Sequence, residues 1–332
     1  RNYRRQFSLY HLQKRFDDMV VGTYGRGIYI MDDISPIREL AKKDLSIDQL
    51  LPTQSAYRFQ MLQAMKSDGS SLINGRNPSY GANIDFYLSD ENKKSIFIEI
   101  KNKDLEVVRT LNVKKFTKGV NRIMWDLRYE PTTVPKLRVD PDGVDWVKYN
   151  SDGWRPLRTW DLDVNAGKLG PLAVPGQYSV TLKIDGKEYS NKFEVLKDPN
   201  TIGTLTDIND QFQFLFTLRN TINETVDLIN KIENIRFDLQ NNERSSRSKK
   251  LERELYRIES NLFDTKLTGA REDAFRNPNK IYGRLAALGS DLTRFGSDFK
   301  PTDQQVEVYN VLSNRLIEQK KDFDKVMKNE FW

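Results

Sequence analysis

The residues best suited to chemistry in this chain lie between positions 140 and 160. Asp140-Pro141-Asp142-Gly143-Val144-Asp145 sets three carboxylates close together, and Trp146, Tyr149, Trp154 and Trp160 follow. An Asp-x-Asp-Gly-x-Asp run can offer oxygens to calcium, but the spacing and terminal Glu of an EF-hand loop are missing. Pro and Gly beside Asp are turn residues, which is the simpler reading. The aromatic residues point further. Flat indole and phenol faces stack on sugar rings, and both side chains anchor protein interfaces. A long loop also needs a small core of its own to stay ordered. Trp146, Tyr149, Trp154 and Trp160 are therefore the leading candidate ligand contacts.

Other candidates carry less chemistry. Gly22-Thr23-Tyr24-Gly25-Arg26-Gly27 has the glycines of a phosphate loop without its Lys-Ser/Thr, and a strand follows rather than a helix. It reads as a tight inter-strand turn, with Arg26 as a candidate anion contact. Asp32 and Asp33 are adjacent, so on a strand they face opposite sides. They do not make the facing carboxyl pair, about 5–10 Å apart, that glycoside hydrolysis uses. The chain has no cysteine, which excludes disulfides, thiolate nucleophiles and thiolate metal sites. Its single histidine, His11, excludes multi-His metal centres and leaves no Ser-His-Asp triad unless His11 itself serves. No catalytic residue, metal site or cofactor is expected.

These residues need elements to hold them. At 332 residues the chain has room for two or three domains. The formal net charge of +6 invites a nucleic-acid reading, but residues 201–332 hold 21 Lys+Arg and 21 Asp+Glu. The excess sits at Arg1, Arg4, Arg5, Lys14 and Arg15 and at Lys114, Lys115 and Lys118. Neither cluster is a long basic stripe with interleaved aromatics, so no nucleic-acid partner is expected. No apolar run reaches the roughly 18–20 residues of a membrane helix, so no membrane span is expected.

Residues 1–40 read as a strand hairpin, with Ile28, Tyr29 and Ile30 alternating sides, broken at Ser35-Pro36. Two strands bury too little surface to stand alone in water. The hairpin therefore needs neighbouring strands, and the chain reads as the C-terminal portion of something larger. Residues 41–78 are a connector, read as an extended strap. Residues 79–200 alternate with period two through Ile84–Leu88, Ile96–Ile100, Val107–Leu111, Arg122–Leu127, Gly176–Ile184 and Lys187–Val195. Asp185-Gly186 between two such strands is a strong hairpin signal. Short strands with turns at this spacing predict an antiparallel fibronectin/immunoglobulin-like β-sandwich, with 131–175 as a long Trp-rich insertion. Residues 201–332 change to the helical period. Ile208 through Ile232, Leu251 through Leu262, Ile281 through Phe295 and Val306 through Met327 predict an antiparallel helical bundle. Thr204 with Asp207, and Thr302 with Gln305, predict capping boxes.

One ordered set of motifs also resembles a known family. Val20-Val21-Gly22-Thr23-Tyr24-Gly25-Arg26-Gly27-Ile28-Tyr29-Ile30-Met31-Asp32-Asp33-Ile34-Ser35-Pro36-Ile37-Arg38 is similar to the closing blade of sortilin-type, BNR-repeat β-propellers, whose bacterial members are often labelled glycosyl-hydrolase-like. Gly119-Val120-Asn121-Arg122-Ile123-Met124-Trp125-Asp126-Leu127-Arg128-Tyr129 follows, then Gly170-Pro171-Leu172-Ala173-Val174-Pro175-Gly176-Gln177-Tyr178, then Lys197-Asp198-Pro199. The resemblance spans residues 17–200. The family's Asp-box, Ser-x-Asp-x-Gly-x-x-Trp, does not occur, and no catalytic acids are carried over. What the resemblance implies is a closing propeller hairpin and an exported protein, secreted, periplasmic or on the cell surface. The expected role is non-catalytic and structural, with another protein or the N-terminal propeller part of the same protein as partner. The alternative is an accessory part of a secreted carbohydrate-active propeller enzyme whose acids lie upstream, with carbohydrate against the Trp-rich loop.

Overall fold

The computed structural model describes residues 9–15, 17–23, 27–59, 78–157, 169–242, 245–268, 277–290, 292 and 298–330. The protein is of mixed β and α type, with several sheets and a C-terminal helical region. Two compact units divide it: Arg1–Leu127 with Pro175–Lys197, and Arg128–Val174 with Asp198–Trp332.

The first unit opens with an antiparallel ribbon of β1 (Leu9–Arg15), β2 (Asp18–Thr23) and β3 (Gly27–Met31), in that order. Helix α1 (Ser35–Leu40) ends it, with proline in its first turn. The strands that follow are β4 (Gln49–Leu50), β5 (Ala56–Arg58), β6 (Ala82–Leu88), β7 (Ile96–Lys101), β8 (Val107–Asn112) and β9 (Gly119–Trp125). The two-residue strands β10 (Lys136–Leu137) and β11 (Arg155–Pro156) lie in the second unit. Strands β12 (Gly176–Ile184) and β13 (Lys187–Lys197) return to the first.

One sheet orders β5-β13-β12-β7-β8, and another β4-β6-β9. Register follows the apolar alternation: Val180, Leu182 and Ile184 of β12 sit opposite Ile100, Ile98 and Ile96 of β7, and all six are buried. A one-residue slip would turn every one of them to the other face, so burial fixes the pairing. Asp185 and Gly186 close the β12–β13 hairpin at φ 47° and 87°, the positive angles that a two-residue turn requires. Trp125 of β9 is fully buried against Tyr178 of β12 and Phe193 of β13, with ring centroids 5.4 and 5.9 Å away. Connector residues 49–50 and 56–58 add edge strands to these sheets, β4 antiparallel to β6 and β5 parallel to β13. Leu50, Leu51 and Ala56 are buried there.

The second unit holds α2 (Leu205–Asn241), α3 (Ser246–Leu262), α4 (Ile281–Ser290) and α5 (Asp303–Glu330). Both predicted capping boxes form. Thr204 and Asp207 satisfy each other's backbone N–H at the start of α2. At the start of α5, Thr302 N–H donates to Gln305 Oε1 at 2.9 Å, and Gln305 N–H donates to Thr302 Oγ1 at 3.2 Å. The apolar stripe Ile222, Val226, Ile229 and Ile232 packs with Leu255, Ile258 and Leu262 of α3, Leu285 of α4, and Leu312 and Leu316 of α5. Leu137 and Leu157, far away in sequence, complete the same core.

Candidate functional site

Two regions answer to the residues singled out from the sequence: the ribbon at the start of the first unit and the Trp-rich segment of the second.

The ribbon is tied down at its exit. Asp33 takes the left-handed conformation at φ 49°, and its carboxylate accepts hydrogen bonds from Ser35 N–H at 3.1 Å and Ser35 Oγ at 2.5 Å. Asp33 N–H donates to Asp18 at 2.8 Å. Arg122 of β9 grips Asp85 of β6 through two hydrogen bonds, 2.7 and 3.0 Å, and reaches Asp33 at 3.1 Å. Hydrogen bonding to Asp85 raises the Arg122 pKa, so this cation is fixed. Asp33 is thus a positioning group. Asp32 makes no side-chain hydrogen bond among the described residues, and its charge acts on Arg122.

Beyond this anchor β3 is exposed along its whole length, while β2 is half-buried. Among the described residues β3 pairs only with β2, at the edge of the ribbon. Ile28 and Ile30, on one face, are 73% and 62% exposed; Tyr29 and Met31, on the other, are 55% and 44% exposed. Four consecutive large apolar side chains exposed on both faces of an edge strand form a template for further pairing. Arg26 lies outside the described residues.

The Trp-rich segment is held by the helix beneath it. Asn223 and Asn230 of α2 accept the backbone N–H groups of Thr133 and Lys136, each at 2.8 Å. Glu233 accepts those of Arg138 and Val139 at 2.5 and 2.8 Å. The spacing fits the geometry. Seven helical residues advance about 10.5 Å, and three extended residues advance about 10 Å. An extended strand can therefore run along α2 with its N–H groups meeting successive hooks. Arg138 closes the row, donating to Asn234 at 3.0 Å and lying 4.5 Å over the Phe237 ring.

From there the chain loops outward. Asp140 accepts from the Tyr149 hydroxyl at 2.6 Å. Burial, followed by this hydrogen bond, pushes the Tyr149 phenol up, so it stays a donor at physiological pH. Asn150 folds the next turn, its side chain accepting from Asp152 and Trp154 N–H at 3.0 and 3.1 Å. Trp154 is half-buried with Lys136 Nζ 5.8 Å from its ring centroid. Trp146 is 68% exposed. Trp160 lies outside the described residues. The structure thus organises Tyr149 and Trp154 on one short loop beside Asp140 and Lys136, with Trp146 at the surface.

Of the other two carboxylates in the Asp140–Asp145 run, Asp145 is exposed and Asp142 is engaged elsewhere. Asp142 accepts from Tyr256 and Thr265 hydroxyls at 2.6 and 2.7 Å, pinning the loop to α3. Among the described residues no group of acidic or histidine side chains could hold a metal ion. Arg155, fully enclosed, donates to the carbonyls of Val139 and Leu267 at 3.2 and 2.9 Å.

Sequence reasoning missed the polar cluster under this loop. Glu233 and Arg236 of α2 and Glu259 of α3 are buried, with Arg236 paired to Glu259 and to Glu252. A signal was present. Positions 222, 226, 229, 233 and 236 keep the three- and four-residue steps of the apolar stripe, and so do 255, 259 and 262. Charged residues at in-phase stripe positions mark buried charge.

Two motifs of the family resemblance meet in the second unit. Arg128 and Leu172 form a β-bridge, Tyr129 N–H donates to the Pro171 carbonyl at 3.0 Å, and Arg128 donates to the Gly170 carbonyl at 3.0 Å. A Cβ on Gly170 would sit 2.0 Å from the Tyr129 carbonyl oxygen, so only glycine fits there.

Among the described residues no helix is long and apolar enough to cross a membrane. In comparison with known proteins, no family model, curated protein or solved structure matches this chain.

Proposed function

We propose that this chain is a non-catalytic structural and protein-interaction region of a sortilin-like β-propeller protein of the cell envelope, docking through the open edge of β3. The carrying observation is the exposure of Ile28, Tyr29, Ile30 and Met31 on both faces of an edge strand. Apolar side chains on both faces of one strand suit a place inside a larger sheet, flanked by further strands, rather than a solvated border. The partner is another protein or the propeller part of the same protein, joined by strand addition: main-chain hydrogen bonds supply affinity and alternate side chains supply specificity. In this reading the two sheets around Trp125 form a fibronectin-like sandwich, and α2–α5 form an antiparallel bundle. The meeting of the Arg128–Tyr129 and Gly170–Leu172 motifs supports the family assignment, because glycine there has a steric cause.

The test is co-purification of the chain with the propeller blades of the same protein, expressed in trans. The wild-type chain retains the blades, and Ile28→Lys with Ile30→Lys weakens retention at least about tenfold, since two charges enter a buried face. Equal retention by wild type and variant overturns the reading.

A second reading rests on a separate observation, the Trp146, Tyr149 and Trp154 surface with Lys136 beside it. Such a surface suits a sugar ring stacked on an indole, as in an accessory part of a carbohydrate-active enzyme. Tryptophan fluorescence titrated with a polysaccharide panel tests it. A shift abolished by Trp154→Ala supports it, and a flat response across the panel removes it.

A further inference from the structure

A polar groove in the helical unit has chemistry of its own. It encloses 420 Å³ where the N-terminal end of α4 meets α3 and α5. That volume falls in the range of about 300–1,000 Å³ in which small-molecule sites are found. Three cationic side chains line it: Lys280 just before α4, Arg284 in its first turn, and Arg315 of α5. Glu318 is the single acidic residue in the lining, so the groove carries a net +2.

Cations on the flanking helices α3 and α5 are paired only in part. Arg257 pairs with Asp322 at 3.1 Å, and Lys320 pairs with Glu224 at 2.9 Å. Lys280, Arg284 and Arg315 have no carboxylate partner among the described residues, where the Arg284 guanidinium donates to the Asn279 carbonyl at 3.1 Å. Three like charges around a concavity repel one another. A bound anion relieves that repulsion, and the low-dielectric walls of a cleft strengthen its attraction. The opening of α4 adds to it. The first N–H groups of a helix have no intrahelical acceptor, and α4 has no acidic residue in its first turn.

The geometry points to a binding site for a phosphate-bearing small molecule in the groove formed by Lys280, Arg284 and Arg315. A phosphate monoester carries about −1.5 to −2 at pH 7, which matches the net charge of the lining. The planar guanidinium forks of Arg284 and Arg315 suit paired phosphate oxygens, and Lys280 supplies a point charge. Asn261, Asn279 and Gln319 also line it, Asn261 donating to Gln319 at 3.0 Å, and their remaining amide groups are neutral donors and acceptors for the rest of the ligand. A small molecule fits better than a nucleic-acid strand. The 21 Lys+Arg of residues 201–332 are matched by 21 Asp+Glu, so no basic track leads away from the groove.

The test is isothermal titration of the full chain with inorganic pyrophosphate, with citrate as the carboxylate control, in phosphate-free and sulfate-free buffer. Pyrophosphate binds wild type, and Lys280→Gln with Arg315→Gln weakens binding at least about tenfold, since each lost charge-assisted hydrogen bond is worth about a factor of ten or more. Lys280 precedes α4 and is half-buried, Arg315 is exposed on α5, and unchanged far-ultraviolet dichroism of the variant secures the comparison. Glu318→Gln is the complementary variant, and removing the one opposing charge tightens binding. Absence of pyrophosphate binding to wild type, equal binding by the double variant, or citrate binding as tightly as pyrophosphate each overturns the assignment.

Discussion

Arg236 on α2 and Glu259 on α3 form an ion pair sealed from water, with side chains 6% and 0% exposed. Glu252 holds the other edge of the guanidinium at 2.8 Å, and the Tyr256 ring lies 5.1 Å from its centre. Glu233, one turn before Arg236, is also buried and faces the same cluster. One cation thus serves several carboxyl groups where water cannot help.

This arrangement makes the helical unit sensitive to alkali. Burial raises the Glu259 pKa well above the usual 4.5, and the neighbouring Glu233 charge raises it further; burial raises Glu233 too. A carboxyl that holds its proton more tightly in the folded chain stabilises the fold fully below its unfolded pKa. That contribution is lost as pH rises through the folded value. Unfolding free energy should therefore fall from pH 4.5 upward. Asp207, held below 3.8 by its hydrogen bonds with Thr204, acts in the opposite sense, its contribution being lost only in acid. Urea titrations at about pH 5, 7 and 9 read the slope. Glu259→Gln should flatten it, and an unchanged slope in that variant would place the titration elsewhere.

Removing the cation alone should be costly. Arg236→Met leaves Glu259 and Glu252 without their counter-charge, a loss of about 3–5 kcal/mol for a broken buried pair. Replacing Glu259 as well, as Arg236→Met with Glu259→Leu, should recover part of it, because a buried pair exchanged for apolar residues is often neutral while Glu233 and Glu252 still lack the cation. Urea midpoints of the two variants decide the matter, and equal midpoints would show that pairing contributes nothing.

The Trp-rich segment should unfold with the helices. Leu137 is fully buried in the helical core, so Leu137→Ala should cost about 2–5 kcal/mol. It should also speed amide exchange at Lys136 and Val139, whose N–H groups hang on Asn230 and Glu233. Unchanged protection at those two amides would mean that the hooks hold without the leucine.

Much of this architecture is legible in the sequence because it is periodic. Ile96, Ile98 and Ile100 and their partners at 180, 182 and 184 show the period of a strand. Asp185-Gly186 shows its turn, and Thr204 and Thr302 show where helices start. The remainder escapes for physical reasons. Strands β10 and β11 have two residues each, too few to carry a period, so Leu137, and Leu157 just after β11, look like loop residues. Asn223 and Asn230 look like solvated positions until a strand lies across them. In the candidate surfaces, the composition of β3 and of the Trp-rich segment drew attention at once. That Asp140 and Asp142 would be consumed by Tyr149, Tyr256 and Thr265 depends on folds closed over 9, 114 and 123 residues of chain, which no local pattern encodes.

The row of side-chain hooks along α2 has a kinetic consequence. Its contacts join residues 90–96 positions apart, so they cannot form until a long loop has closed. A helix can grow from its own neighbours, whereas the strand it carries has no partner until that helix exists. In refolding, the Trp-rich segment should be a late arrival, and its tryptophans should report the final step rather than the first.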